Sequence, residues 1–198
     1  MYELIERINE AADVKKFKVE ELDQLAIEIR EALFNRLTKI GGHFGPNFGV
    51  VEAEIAMHYV FNSPVDQFVF DVSHQSYPHK ILTGRKAGYI YDDHFFEDSG
   101  YTNPGESEHD LFNVGHTSTS ISLASGLVKA RDLKGEKRNV IAVIGDGSLT
   151  GGMAYEALNN AAKLETNYII VLNDNNMSIS RNVGGMSTSR RALSTAEA

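Results

Sequence analysis

The stretches that decide the fold are VIAVIGDG at residues 140–147, GG at 151–152 and YIIVLNDNN at 168–176. The apolar runs in them are nearly continuous, which is typical of strands covered on both faces of a parallel sheet. A third run, FVFDV at residues 68–72, has the same character. Helical patterns over residues 118–133 and 151–164 precede the last two runs. This alternation predicts an α/β fold, a parallel sheet with helices on both faces.

The rest of the chain divides by its apolar spacing. From Val19 to Ile40, apolar residues recur at three- and four-residue steps, which predicts an amphipathic helix ending at Gly41. A second helix is predicted over residues 50–61, whereas residues 85–115 show no sustained period and are expected to form a functional or mobile loop. We expect residues 1–18 to be a short lead-in. Residues 19–198 are expected to form one domain, incomplete at its C-terminal end because the tail holds few apolar residues.

Composition excludes several classes of protein. The 198 residues carry 19 Lys and Arg against 27 Asp and Glu, a net charge of −8, so no basic footprint for nucleic acid exists. Cysteine is absent, which excludes disulfides and thiolate chemistry. No apolar run is long enough to span a membrane, and the first ten residues are charged where a signal peptide is apolar. We therefore expect a cytoplasmic protein with small-molecule ligands and no membrane or nucleic-acid partner.

The glycine loop after the second apolar run contains an acid, Asp146. A strand, a glycine loop and a helix N-terminus form a corner that binds anions. Two like charges about 4 Å apart repel by roughly 1 kcal/mol in water and roughly 4 kcal/mol near a protein surface, so a bare carboxylate opposes phosphate binding. A cation between them reverses the sign, and oxygens from Asp146 and residues 173–176 are ligands that suit Mg²⁺. The loop therefore predicts a site for a metal-bridged diphosphate.

Three alternatives remain open at this point. Residues 145–151 have the form G-x-G-x-x-x-G, close to the dinucleotide fingerprint, and Asp174 could bind a ribose, as in an NAD-dependent oxidoreductase domain. The same glycines and asparagines also occur in ordinary turns. A non-catalytic module that keeps the fold is the third alternative.

Six further motifs follow one another along the chain. They are GGH at 41–43, GVVE at 49–52, HYVF at 58–61, DVSHQ at 71–75, YPHKILTGR at 77–85 and GHTSTS at 115–120. Together with Gly-Asp-Gly and the Asn-rich strand end, these motifs resemble the 1-deoxy-D-xylulose-5-phosphate synthases in order and spacing. That family belongs to the thiamine diphosphate enzymes of the transketolase group. The resemblance covers about residues 4–186.

The resemblance implies roles for individual residues. Magnesium ligands would be the side chains of Asp146 and Asn175 and the carbonyl of Met177. The remaining cofactor contacts would come from Gly115, His116, Thr117, Gly147 and Ser148. His74 would contact the cofactor near its reactive end, and His43 would face the substrates and move protons. From its position within a predicted helix, four residues after Glu54, His58 is expected to be a surface or packing residue.

The resemblance also implies a reaction: condensation of pyruvate, with decarboxylation, and glyceraldehyde 3-phosphate to 1-deoxy-D-xylulose 5-phosphate, a precursor of isoprenoids and thiamine. Residues 44–47 and 99–104 depart from the family pattern, so a transketolase-like paralogue with other ketose or aldehyde substrates is the alternative. Family members are much longer and carry a second domain with an activating glutamate. We therefore expect this chain to act within a homodimer in full-length form or with a separate C-terminal partner chain, and to be inactive alone.

Overall fold

The computed structural model describes residues 2–174. These residues form two compact units. The first unit contains residues 2–68 and 73–115, and the second contains residues 69–72 and 116–174.

Two long helices organise the first unit. Helix α1 spans Val19–Ile40 and helix α3 spans Val51–Val60, which confirms both predicted helices. α1 ends because Gly41 adopts a φ of +78°, a conformation that favours glycine. Its inner face buries four aliphatic side chains, Leu25, Ile29, Leu33 and Leu37. Each such burial stabilises the fold by about 1.5–3 kcal/mol.

The first eighteen residues belong to the core of this unit. The sequence predicts a lead-in here, whereas five apolar side chains lie in the main hydrophobic cluster: Leu4, Ile5, Ile8, Val14 and Phe17. Two short 3-10 helices, Ile5–Arg7 and Ala11–Lys16, present them. The buried carboxylate of Glu28 on α1 accepts the backbone N–H groups of Leu4 and Ile5 at 2.8 and 3.1 Å. The segment thus covers α1, and the division of the chain at residue 18 stays a prediction.

Short helices connect the site-bearing segments of the first unit. Helix α2 spans Gly45–Phe48, α4 spans Tyr77–Lys80 and α5 spans Ala87–Ile90. The described chain from residue 95 to 115 contains no helix or strand. The irregular segment that the sequence predicts is therefore confirmed over most of its length.

The second unit contains the sheet. Strand β1 spans Gln67–Phe70, β2 spans Val140–Gly145 and β3 spans Ile169–Asn173. Of β1, the last two residues belong to this unit. The strands lie in the order β1-β2-β3, and β2 pairs with β3 in parallel. Helix α6, Ser120–Lys134, packs on β2 and on α7, Gly152–Ala161. The predicted α/β fold with a parallel sheet and surrounding helices is confirmed.

Strand β2 occupies the interior of this sheet. Residues 140–144 are at most 1% exposed, as their continuous apolar character predicts. The β2–β3 register pairs Ile141 with Ile169 and Gly145 with Asn173. The two carboxyl ends therefore stop side by side. No helix within the described part of the chain is both long and apolar enough to cross a membrane.

Candidate functional site

The two histidines expected to be catalytic lie together in the first unit. The rings of His43 and His74 are 5.7 Å apart between centroids, edge to face. His43 follows the end of α1, and His74 follows a turn in which Val72 and Ser73 take positive φ values of 59° and 69°. A positive φ is unfavourable for a β-branched residue and occurs where the surroundings enforce it, commonly at functional sites.

A buried amide joins the two histidine segments. Asn47 on α2 is fully buried, and its Nδ2 donates to the carbonyl oxygens of His43 at 2.7 Å and His74 at 2.8 Å. Its Oδ1 accepts the backbone N–H of Tyr77 at 2.9 Å. Sequence reasoning missed Asn47, because a single asparagine in a Gly- and Pro-rich loop carries no periodic signal.

Tyrosine hydroxyls lie beside both ring nitrogens of His43. The Tyr77 hydroxyl is 3.1 Å from Nδ1, and the Tyr101 hydroxyl is 3.4 Å from Nε2. Partial burial lowers the pKa of His43 below its ordinary value, so the ring is neutral at pH 7. A neutral imidazole can both accept and donate a proton, which suits the role predicted for it.

The glycine loop of the second unit follows β2 as predicted. Asp146 is 4% exposed, and its backbone N–H donates to the carbonyl of Asn173 at 3.1 Å. The acid therefore lies directly beside the end of β3, where Asp174 follows. Asn175 and Met177, the other two predicted metal ligands, lie outside the described residues. Among residues 2–174, no group of three or more His, Asp or Glu side chains is arranged around a shared metal position.

The turn that precedes α6 contacts this glycine loop. Ser118 donates from its hydroxyl to the carbonyl of Ser148 at 2.6 Å. A Cβ added at Gly151 would lie 2.0 Å from the Ser118 oxygen, so only glycine permits this approach. The structure thus brings Ser148 next to Ser118, which directly follows Thr117. The side chain of His116 is exposed, with Nδ1 2.8 Å from the Thr117 carbonyl.

Asp71 fixes that turn and was missed as a separate functional residue. Its two carboxylate oxygens accept the backbone N–H groups of Ser118 and Ser120, each at 2.9 Å. The side chain is 1% exposed and caps the start of α6. An acid directly after an apolar strand is the sequence signal that could have indicated this cap.

The described part of the loop fits a metal-bound diphosphate. A nearly buried carboxylate supplies a hard oxygen ligand, and the glycine loop leads into the N-terminus of a ten-residue helix, α7. A Cβ at Gly145 or Gly152 would meet nothing within 4 Å, so the backbone there borders open space. Gly147 begins the 3-10 turn Ser148–Thr150, and Gly115 is the last residue of the first unit, also beside open space.

A buried polar cluster in the first unit was not predicted. His58 Nε2 lies 2.9 Å from His79 Nδ1, and His79 Nε2 lies 3.2 Å from an Asp110 carboxylate oxygen. Arg85 donates to both oxygens of Asp110 at 2.7 and 2.9 Å. Burial lowers the pKa of His79 to about 4. His58 is a buried packing residue, one of the two outcomes that its helical position predicts.

Nearly the whole chain is similar to proteins of one known family. A family model described as 1-deoxy-D-xylulose-5-phosphate synthase matches residues 5–198. A 1-deoxy-D-xylulose-5-phosphate synthase of Pelotomaculum thermopropionicum is 53% identical over 187 residues, 94% of this chain and 29% of the relative. The synthase of Syntrophomonas wolfei is 51% identical over 195 residues, 98% of this chain and 31% of the relative. The chain therefore spans less than a third of the length of these curated relatives.

Proposed function

Because the chain belongs to the 1-deoxy-D-xylulose-5-phosphate synthase family, we propose that it binds thiamine diphosphate through Mg²⁺. The proposed reaction joins glyceraldehyde 3-phosphate to the two carbons that remain after pyruvate loses CO₂. The product is 1-deoxy-D-xylulose 5-phosphate. The observation that supports the proposal most directly is the buried carboxylate of Asp146 at the joint carboxyl end of β2 and β3.

The residues of the glycine loop and of the turn before α6 are proposed to hold the diphosphate. Asp146, together with Asn175 and the Met177 carbonyl, is proposed to ligate the ion. Gly147 and Ser148 are proposed to lie along the diphosphate, as are the three residues of the preceding turn, Gly115, His116 and Thr117. Asp71 holds the start of α6, directly after that turn, by accepting the backbone N–H groups of Ser118 and Ser120. The Asp71 carboxylate thus positions the site through backbone hydrogen bonds and not through contact with the ligand.

The residues of the first unit serve proton transfer and contact with the cofactor. Bound thiamine diphosphate supplies the electron sink that decarboxylation and carbon–carbon bond formation require. His43 is proposed to hold or deliver a proton at a substrate oxygen, and its neutral ring permits either direction. His74 is proposed to contact the cofactor near its reactive end, and its neighbour His43 lies 5.7 Å away between ring centroids.

Calorimetry on this chain tests the cofactor assignment. We expect binding of thiamine diphosphate with Mg²⁺, loss of that binding with EDTA, and no binding of NADH. Asp146→Asn should weaken binding about tenfold or more, because it removes the charged ligand, and tenfold corresponds to about 1.4 kcal/mol. The matched control is Asp93→Asn, whose side chain is 84% exposed and should bind as the unmodified chain does. NADH binding that ignores EDTA would instead favour the oxidoreductase alternative.

The substrate assignment needs a separate assay. The chain is mixed with a protein that corresponds to the remaining part of a 53% identical relative, and CO₂ release is followed with pyruvate and glyceraldehyde 3-phosphate. Release that depends on both substrates supports the synthase reaction. Turnover only with other ketose or aldehyde substrates points to a paralogue. The homodimer, the separate partner chain and the cytoplasmic location stay predictions.

A further inference from the structure

The two nitrogens of the His43 ring face different surroundings. Nδ1 lies 3.1 Å from the hydroxyl of Tyr77, a residue only 2% exposed. Nε2 lies 3.4 Å from the hydroxyl of Tyr101, which is 40% exposed. Nδ1 therefore points into the protein, and Nε2 points to the side that a ligand can reach.

The hydroxyl of Tyr77 determines which nitrogen carries the proton. The backbone N–H of His43 lies 3.4 Å from the same hydroxyl and can only donate. If Nδ1 also carried a proton, the Tyr77 oxygen would face two donors, and its own hydrogen would lack an acceptor away from water. Such an unmade bond costs about 1–3 kcal/mol. With Nδ1 unprotonated, Tyr77 donates to it, and the proton of the neutral ring lies on Nε2.

Asn47 holds the backbone of three residues together: His43, His74 and Tyr77. Its amide donates to the carbonyls of His43 and His74 and accepts from the backbone N–H of Tyr77. The side chain is fully buried, so these bonds are formed away from water. The hydroxyl of Tyr77 and the Nδ1 of His43 are consequently held within hydrogen-bond distance of each other. A Cβ at Gly42 would lie 3.0 Å from that hydroxyl and 2.6 Å from Leu37, so the backbone next to His43 packs closely against Tyr77.

We infer that Asn47 and Tyr77 are positioning residues that hold His43 as a neutral ring with its proton on Nε2. In this state His43 meets a substrate oxygen as a hydrogen-bond donor, so it starts the reaction as an acid and not as a base. Its burial, which lowers the pKa, supports the neutral ring at pH 7. The inference rests on the proposed function only in taking His43 as the residue that faces the substrates.

Nitrogen-15 NMR of the whole chain with labelled histidine, at neutral pH and without cofactor, tests the inference. The unmodified chain should show His43 with Nε2 protonated and Nδ1 unprotonated. Tyr77→Phe should convert this single form into a mixture of both tautomers. Tyr101→Phe is the matched control and should leave the tautomer unchanged, because water replaces the hydroxyl at the accessible nitrogen. A proton on Nδ1 in the unmodified chain would overturn the inference, even if Tyr77→Phe failed to fold.

A second variant tests the amide. Asn47→Asp keeps the shape but removes both donated hydrogen bonds, so the proton–proton cross-peak between the rings of His43 and His74 should weaken at least severalfold. An unchanged cross-peak together with an unchanged tautomer would contradict the positioning role of Asn47. No thiamine diphosphate is needed in these measurements. A chain that fails to bind the cofactor and still shows Nε2–H would refute the proposed function alone.

Discussion

The substitution Asp110→Asn should destabilise the first unit by about 3 kcal/mol. The Asp110 side chain is fully buried and accepts four hydrogen bonds, two from Arg85, one from the backbone of Asn103 and one involving His79. Removing one partner of a buried ion pair costs about 3–5 kcal/mol. We expect the lower end of this range, because Glu106 remains 3.7 Å from the guanidinium of Arg85.

The hydrogen bonds of Asp110 also determine how the stability of the first unit depends on pH. Burial alone raises the pKa of Asp110, but the hydrogen bonds from His79 and Arg85 outweigh it and hold the pKa well below the ordinary value. Because the folded pKa is depressed, the stabilisation is complete above the unfolded pKa of about 3.9 and is lost as the pH falls below it. The penalty of Asp110→Asn should therefore be full at pH 7 and shrink below about pH 4.

Urea unfolding followed by circular dichroism measures the free energy of unfolding of both forms. The matched control is Asp92→Asn, which removes an exposed ion pair with Lys39; exposed pairs contribute at most about 1 kcal/mol. A loss below about 1 kcal/mol for Asp110→Asn, equal to the control, would refute the reasoning. Asp110 also anchors the backbone of Asn103, two residues from Tyr101. The Tyr101–His43 contact should therefore weaken in the same variant.

Two further predictions concern the glycine loop and the buried histidine. Gly151→Ala should lower the free energy of unfolding by about 1–3 kcal/mol, because its Cβ would lie 2.0 Å from the Ser118 oxygen. Gly152→Ala is the matched control on α7, since a Cβ there would meet nothing within 4 Å. It should leave the free energy of unfolding unchanged or raise it by up to about 1 kcal/mol. Equal penalties in urea unfolding would contradict this account. The pKa of His79 in the folded chain is about 4, below the unfolded value of about 6.5. Its contribution to the free energy of unfolding is therefore complete above about pH 6.5 and is lost as the pH falls towards 4, by about 3 kcal/mol in total. His79→Gln should flatten the stability profile over that range, and an unchanged slope would show that His79 does not control it.

Much of the fold could be predicted because local patterns reflect burial. The helix over Val19–Ile40 repeats its apolar residues every three or four positions, and β2 is a continuous apolar run buried on both faces. Asp146 lies beside Asn173 because two paired parallel strands have their carboxyl ends at the same edge of the sheet. The core role of Ile5 and Ile8 could not be predicted, because the 3-10 helix Ile5–Arg7, which Ile8 directly follows, is too short for a period to show.

The sequence by itself determined the α/β alternation, the glycine loop with an acid inside it, and the motifs shared with the 1-deoxy-D-xylulose-5-phosphate synthases. These features depend on residue type and on spacing along the chain. The tertiary structure alone decided that Asn47 joins His43 to His74 and that Asp110 lies against His79 and Arg85. The physical reason is that a buried polar group requires a partner, and that partner is supplied by whichever distant segment the packing of the core brings within hydrogen-bond distance.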